Sequence, residues 1–314
     1  MNYQELKAKD IENDKIKSNS PPKTIIDKLD NFPQKLHQRL DNFPLKVLKK
    51  LRYLVDVSRL KIKKNLDIIR KVDYPSQDVY MRLASPSEYK RIFPCDKEPW
   101  TVKWLETCLR PGEVMFDIGA NVGGYSLIAA KLTEGKAKIF AFEPSFSTFS
   151  NLCYNIVLNN CQEAIVPFQI ALSDQTALVD FNYSDLEPGS ALHILGEPIY
   201  FTGDKLKSAY RQPILSYRID DLITQFNLPI PNHIKLDVDG TELEVLYGAR
   251  QTISDNKVRS LMVELSEDEK KSDEKVVVFL QANGFYLKER YIRFNDKHQR
   301  NPYSFCIFCR DINQ

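Results

Sequence analysis

The run Val114-Met115-Phe116-Asp117-Ile118-Gly119-Ala120-Asn121-Val122-Gly123-Gly124 constrains this chain more than any other segment. An apolar strand leads into an acid, then a glycine-rich turn, then a helix starting near Tyr125. Such a unit offers backbone N–H groups and a helix N-terminus to a ligand. The spacing Asp117-x-Gly119-x-x-x-Gly123 departs from the dinucleotide fingerprint G-x-G-x-x-G, because Asn121 stands where its second glycine belongs. A nicotinamide-dependent dehydrogenase is the weaker expectation for that reason.

Downstream, short apolar runs alternate with helical periodicity. Strands are expected at 114–116, 138–142, 165–172, 233–238 and 260–264. Helices are expected between them, near 125–132, 146–159, 220–226, 242–253 and 273–283. A strand-and-loop insertion occupies about 178–217, and a closing pair of strands is expected at 285–292 and 303–309. Alternating β and α implies a parallel sheet, with the closing pair as an antiparallel edge.

The region before residue 77 differs in kind. Residues 1–22 are charged, rich in Asn and Ser, and closed by Pro21-Pro22, which predicts disorder. Leu29-Asp30-Asn31-Phe32-Pro33 recurs eleven residues later as Leu40-Asp41-Asn42-Phe43-Pro44, the period of a helical stripe. Residues 45–72 read as a basic amphipathic helix, and Asp73-Tyr74-Pro75-Ser76 as a boundary. The expected organisation is therefore a disordered 1–22, a helical basic arm over 23–76 and a catalytic domain over 77–314. Residues 1–75 hold 18 Lys+Arg against 10 Asp+Glu, whereas the remainder holds 26 against 32. The arm, not the body, is thus the part suited to an anionic surface. Packing on the body or self-association is its plainer role. Peripheral membrane contact, or a protein partner held through 45–72, is the sharper one. Oligomeric state is not legible.

No apolar run approaches the roughly 18–20 residues that span a bilayer. Met1 to Ser20 is polar, unlike a secretory signal. Cysteines 95, 108, 153, 161, 306 and 309 show no secreted-scaffold spacing, so reduced thiols in a cytoplasm are expected. Cys306-x-x-Cys309 lies in a strand-like run and reads as core rather than zinc ligands.

In an open parallel sheet, ligands bind beyond the carboxyl ends of the strands. Those ends here carry Asp117, Glu143, Ser173-Asp174, Asp237 and Glu264. The first turn has the spacing expected of one that holds S-adenosylmethionine. Glu143, ending the second strand, suits both hydroxyls of a ribose. Gly119 and Gly123 let the backbone approach a ligand closely, with Asn121 between them. Asp117 is expected to brace the turn or meet the methionine amine. Ser173 and Asp174 are expected at the adenine edge, or else as ordinary turn polarity. Asp237 is the leading catalytic candidate, to orient an acceptor or take its proton; the plainer role is a salt-bridge set with Lys235 and Asp239. Glu264 is expected to face the acceptor or to be a plain rim acid. Glu242 reads as helix capping. His193, in the insertion beside Gly189-Ser190, is a candidate base or acceptor contact. Asp237, Asp239 and Glu264 have the chemistry for a divalent ion, but strand-end carboxylates often serve without one, and no metal is expected.

Four blocks together resemble the signature of FkbM-type methyltransferases. They are Phe116-Asp117-Ile118-Gly119-Ala120-Asn121-Val122-Gly123, Phe142-Glu143-Pro144, Ala171-Leu172-Ser173-Asp174 and Ile234-Lys235-Leu236-Asp237-Val238-Asp239-Gly240-Thr241-Glu242. Leu246-Tyr247-Gly248-Ala249 also fits, and the likeness covers about 110–265. It departs mildly at Asp239, where Glu is usual, and at Thr241, where a small residue is common. The resemblance implies the class I methyltransferase sheet, Rossmann-like, with S-adenosylmethionine as cofactor. It also implies O-methylation of a sugar, glycan or related small hydroxyl metabolite. Methylation of nitrogen or nucleic acid is the alternative. It is disfavoured by the acidic body and by Asp237-Val238-Asp239-Gly240 standing where an (Asn/Asp)-Pro-Pro-aromatic segment serves base methylation. A non-catalytic scaffold is the remaining alternative.

Overall fold

The computed structural model describes residues 45–65, 67–199, 204–266, 270–294 and 300–311. The expectations for 1–22 and for the eleven-residue repeat lie outside these residues. Two units divide the chain, 1–66 and 67–314. In the first, α1 (Leu45–Asn65) is a helix of 21 residues. The helix expected over 45–72 therefore stops early. Ile68–Lys71 forms a strand, β1, antiparallel to β2 (Tyr80–Leu83). Residues 67–76, assigned to the arm from the sequence, thus belong to the second unit. Paired β-branched Ile68 and Ile69 gain more in a ladder than in a further helical turn.

Three short helices follow: α2 (Pro86–Tyr89), α3 (Pro94–Lys97) and α4 (Pro99–Cys108). Each opens on proline, whose fixed φ and missing N–H suit a first helical position. Ser85 and Glu88 form a reciprocal capping box on α2. The alternating core then runs β3 (Val114–Ile118), α5 (Gly124–Leu132), β4 (Lys138–Phe142), α6 (Phe146–Leu158) and β5 (Ile165–Phe168). The insertion contributes β6 (Ala171–Leu172), β7 (Ala177–Tyr183), β8 (Ile194–Leu195) and β9 (Tyr210–Tyr217). The core resumes with α7 (Ile219–Phe226), β10 (His233–Leu236), α8 (Glu242–Gly248), α9 (Arg250–Ser254) and β11 (Ser260–Ser266). It closes with α10 (Lys270–Ala282), β12 (Phe285–Phe294) and β13 (Arg300–Arg310).

The main sheet has the order β12-β13-β11-β10-β3-β4-β5. The ladders β11-β10, β10-β3, β3-β4 and β4-β5 are parallel. Only β13 runs against its neighbours, pairing antiparallel with both β11 and β12. This is the α/β, mostly parallel sheet expected, and the closing pair forms its antiparallel edge. The antiparallel strand lies one place in from the edge, and the edge strand β12 runs with the others.

Period-two alternation sends Met115, Ile139 and Ile165 to one face, against Leu127, Ile128 and Leu152. Phe116, Ile118, Phe140 and Phe142 go to the other, with Leu236, Leu246 and Val263. Both faces are covered, which is why these strands read as unbroken apolar runs. The strand expected over 165–172 is split. β5 ends the main sheet, where Pro167 is tolerated at an edge, and β6 joins a second sheet of order β6-β9-β7-β8.

Candidate active site

A cavity of about 730 Å³ opens beyond the carboxyl ends of β3, β4, β10 and β11. Gly119, Asn121, Glu143, His193, Asp237 and Glu264 all line it, as does Asp239. Asp117, Gly123, Ser173 and Asp174 do not.

Both glycines of the first turn have left-handed φ, +77° at Gly119 and +92° at Gly123. Their missing side chains make room for neighbouring protein, and the Gly119 backbone also lines the cavity. A Cβ on Gly119 would collide with the carbonyl oxygen of Asp237, and one on Gly123 with the Leu152 side chain. Asn121 also has positive φ, +50°. Its own Oδ1 accepts the N–H of Val122 at 3.0 Å, a local bond that offsets the strain. Glu143 is 6% exposed and accepts the N–H of Asn121 at 2.9 Å and that of Ser145 at 2.9 Å. A carboxylate has about four acceptor positions, so two remain for a ligand. Burial raises Glu143 to about 7, against the pull of those two N–H groups.

Behind the turn lies a buried charge cluster. Asp117 is fully buried and accepts the Ser126 hydroxyl at 2.6 Å. Lys235 Nζ lies 3.2 Å from Asp237 Oδ2 and 3.6 Å from Asp117 Oδ1. Asp117 is therefore a brace for the turn and for Lys235, away from the cavity. Burial alone would lower the Lys235 ammonium, but the charges of Asp237 and Asp117 hold it above its ordinary value. Burial would raise Asp237; the positive charges of Lys235 and Lys97 outweigh that and bring it down to about 2. Glu264 is pushed well above the carboxylate range by burial and by its neighbours Asp237 and Asp239. A side-chain hydrogen bond joins Glu264 to Asp237. Burial and then the Asp237 charge raise Asp239 to about 6. One oxygen from each of Asp237, Asp239 and Glu264 falls within 4.8 Å of the others. Glu242, expected as a helix cap, instead accepts the loop N–H groups of Val238 at 3.1 Å and Gly240 at 3.3 Å, and α8 has no side-chain cap.

The insertion folds over this rim. The Pro188 carbonyl accepts the Ser85 hydroxyl at 2.6 Å, and the Gly189 carbonyl accepts Arg91 Nη2 at 3.0 Å. Ser190 O accepts Asn121 Nδ2 at 3.1 Å, and Leu192 N–H donates to Asp239 Oδ2 at 2.8 Å. His193 is seated beyond, against the rings of Phe181 and Tyr183. Its Nδ1 accepts the Ser184 N–H at 3.2 Å, and its Nε2 is buried without a partner. Burial lowers the ring to about 4. At neutral pH the proton therefore sits on Nε2, which makes His193 a donor and removes it as a base.

Ser173 and Asp174 lie off the cavity because β6 pairs sideways with β9 and turns them away. Ser173 N–H donates to Tyr217 O at 3.0 Å, its carbonyl presses on Gly248, and Asp174 is exposed. Ile170, Ala171 and Leu172 line the cavity in their place. Sequence reasoning also missed Lys90, Arg91 and Lys97, which form one wall. Nothing local marks them, since the capping box of α2 and the N–H-to-Asn contacts of β2 on α6 (Tyr80 to Asn159, 2.8 Å) bring them there.

Comparison with known proteins agrees with this geometry. The family model described as "Methyltransferase FkbM domain" matches residues 117–287. A hexuronic acid methyltransferase, AglP of Haloferax volcanii, is 30% identical over 167 residues, covering 53% of this chain and 62% of that protein. The 2-O-methyltransferase NoeI of Sinorhizobium fredii is 26% identical over 172 residues, 51% of this chain and 66% of that protein. The 31-O-demethyl-FK506 methyltransferase FkbM of Streptomyces tacrolimicus is 26% identical over 197 residues, 56% of this chain and 74% of that protein. The chain thus spans less than two thirds of AglP and NoeI. A family match over more than half its length, on the segment that builds most of the cavity, makes this chain a member of the FkbM methyltransferase family.

Proposed function

We propose that this chain is an S-adenosylmethionine-dependent O-methyltransferase acting on a hydroxyl of a sugar, a glycan or a related small metabolite. The observation that supports it most is the placing of Glu143 and the Asp237–Asp239–Glu264 cluster along one cavity. Glu143 ends β4 and Asp237 follows β10, with β3 between them. Two strand spacings are roughly 10 Å, the span of a nucleoside and the group it carries. Glu143 has two free acceptor positions for ribose hydroxyls, and Phe142, Ile170, Ala171 and Leu172 give an apolar wall for a base. The relatives' names favour hydroxyl-bearing acceptors, sugars among them.

When bound, S-adenosylmethionine supplies an electrophilic methyl carbon on a positively charged sulfur. The chain has to align an acceptor oxygen with it and remove one proton. Asp237, ionised and fixed by Lys235 and Glu264, accepts a hydrogen bond from a second, neighbouring hydroxyl of the acceptor and so orients it. Asp239 takes the proton, because its affinity lies near neutrality. Glu264 keeps its own proton and donates to Asp237. His193 Nε2–H binds an acceptor oxygen.

Transfer of labelled methyl from S-adenosylmethionine to a panel of glycans, small alcohols, amines and RNA tests this. Transfer to hydroxyl acceptors is expected. Transfer to amines or RNA alone replaces the acceptor class, and cofactor binding without transfer favours a scaffold. Calorimetry with S-adenosylhomocysteine and NAD is the companion measurement; binding of NAD alone ends the proposal.

A further inference from the structure

α1 carries a surface that the cavity chemistry does not use. Of its apolar residues, Leu54, Val47, Leu51, Ile62 and Val55 fall within an arc of about 100° at 100° per residue, while the exposed Tyr53 and Leu60 lie on the opposite side. All five are exposed, from 38% at Val47 to 58% at Ile62. Lys50 and Lys61 flank one side of the arc, and Arg52 and Arg59 the other. Residues 45–65 hold eight Lys+Arg against Asp56 alone. Among the described residues no helix is long and apolar enough to cross a membrane.

An apolar stripe between two cationic rims has a narrow set of matching partners. A second copy fits poorly, since stripe-to-stripe pairing sets Lys50, Lys61, Arg52 and Arg59 beside their own duplicates, and like charges repel. An anionic lipid surface satisfies both parts at once. Acyl chains take the stripe, and headgroup phosphates take the rims. Lysine and arginine stems are long enough to reach headgroups from a helix sunk to its apolar face. We propose that α1 lies in the plane of an anionic membrane surface, with Leu51, Leu54 and Val55 inserted and the Lys/Arg rims on the headgroups. The inference stands apart from the proposed methyl transfer.

Co-sedimentation of the full chain with phosphatidylcholine vesicles, and with vesicles doped with phosphatidylglycerol, tests it. Binding to the doped vesicles is expected, roughly tenfold or more tighter than to neutral ones and weakening as salt rises. Leu51→Gln with Leu54→Gln, and separately Lys50→Gln with Lys61→Gln, should each weaken it by roughly tenfold. Both pairs change exposed side chains to a good helix former, and circular dichroism checks that the fold is kept. Failure of the full chain to bind doped vesicles overturns the proposal. So does binding that survives loss of the two leucines, which would be charge adsorption without insertion. A wild-type dimer that the leucine pair converts to monomer would give the stripe to a second copy. A wild-type monomer that ignores vesicles would give it to another segment of the chain.

Discussion

Leu192, in the loop over the cavity, donates its N–H to Asp239 Oδ2 at 2.8 Å and so fixes the carboxylate that sits near neutrality. If Asp239 receives the acceptor's proton, it must be ionised in the free enzyme. It is protonated below about 6 and ionised above. Activity is therefore lost on the acid side, and kcat/KM rises with pH through about 6 to a plateau. Asp239→Asn should remove this limb and slow the reaction by roughly 10²–10⁴-fold. An unchanged limb in that variant would assign the proton to another group.

His193 is expected to act as a neutral donor. His193→Phe should raise the acceptor KM roughly tenfold, the cost of about one hydrogen bond. His193→Gln, which keeps an N–H, should recover most of it. Neither change should move the acid limb of the rate profile. A lost limb in His193→Phe would restore the ring as the base.

Glu143→Ala should weaken S-adenosylhomocysteine binding by about 1–3 kcal/mol, measured by calorimetry. The same substitution frees the N–H groups of Asn121 and Ser145, so the turn loosens as well. Unchanged affinity would remove Glu143 from the ribose.

Gly119→Ala should cost about 2–4 kcal/mol of stability in chemical denaturation. It combines a left-handed φ with a collision against the Asp237 carbonyl oxygen. Gly112→Ala is the control, since its φ is +85° but no atom lies within 4 Å of the added Cβ. It should cost only about 1 kcal/mol. Equal losses would mean that crowding at Gly119 is relieved by local movement.

Much of the sheet is legible in one dimension. Lys138–Phe142 was expected as a strand and forms β4 with those bounds. Acids at strand ends foretold that Glu143, Asp237 and Glu264 would share a rim, because parallel strands put their carboxyl ends on one side. What stayed illegible depends on partners far away in sequence. Alternation cannot show that Ala171-Leu172 leaves the main sheet to pair with Ser216-Tyr217. That one pairing carries Ser173 and Asp174 off the cavity. Arg91 is also held at the site by Gly189, 98 residues on, whose carbonyl accepts its guanidinium. The tautomer of His193 depends on Ser184, which nothing in the sequence marks as its neighbour.

The place of β13 has a consequence for how the molecule is built. Among the described residues, β12 finds its ladder partner only in β13, which lies between it and β11. On a ribosome β12 emerges first and has no seat. Phe305, Cys306 and Phe308, each at most 2% exposed, must arrive before that half of the sheet can close. A nascent chain halted before residue 300 would expose the flank of β11, and rescue by a supplied peptide spanning 300–310 would reveal that missing slat.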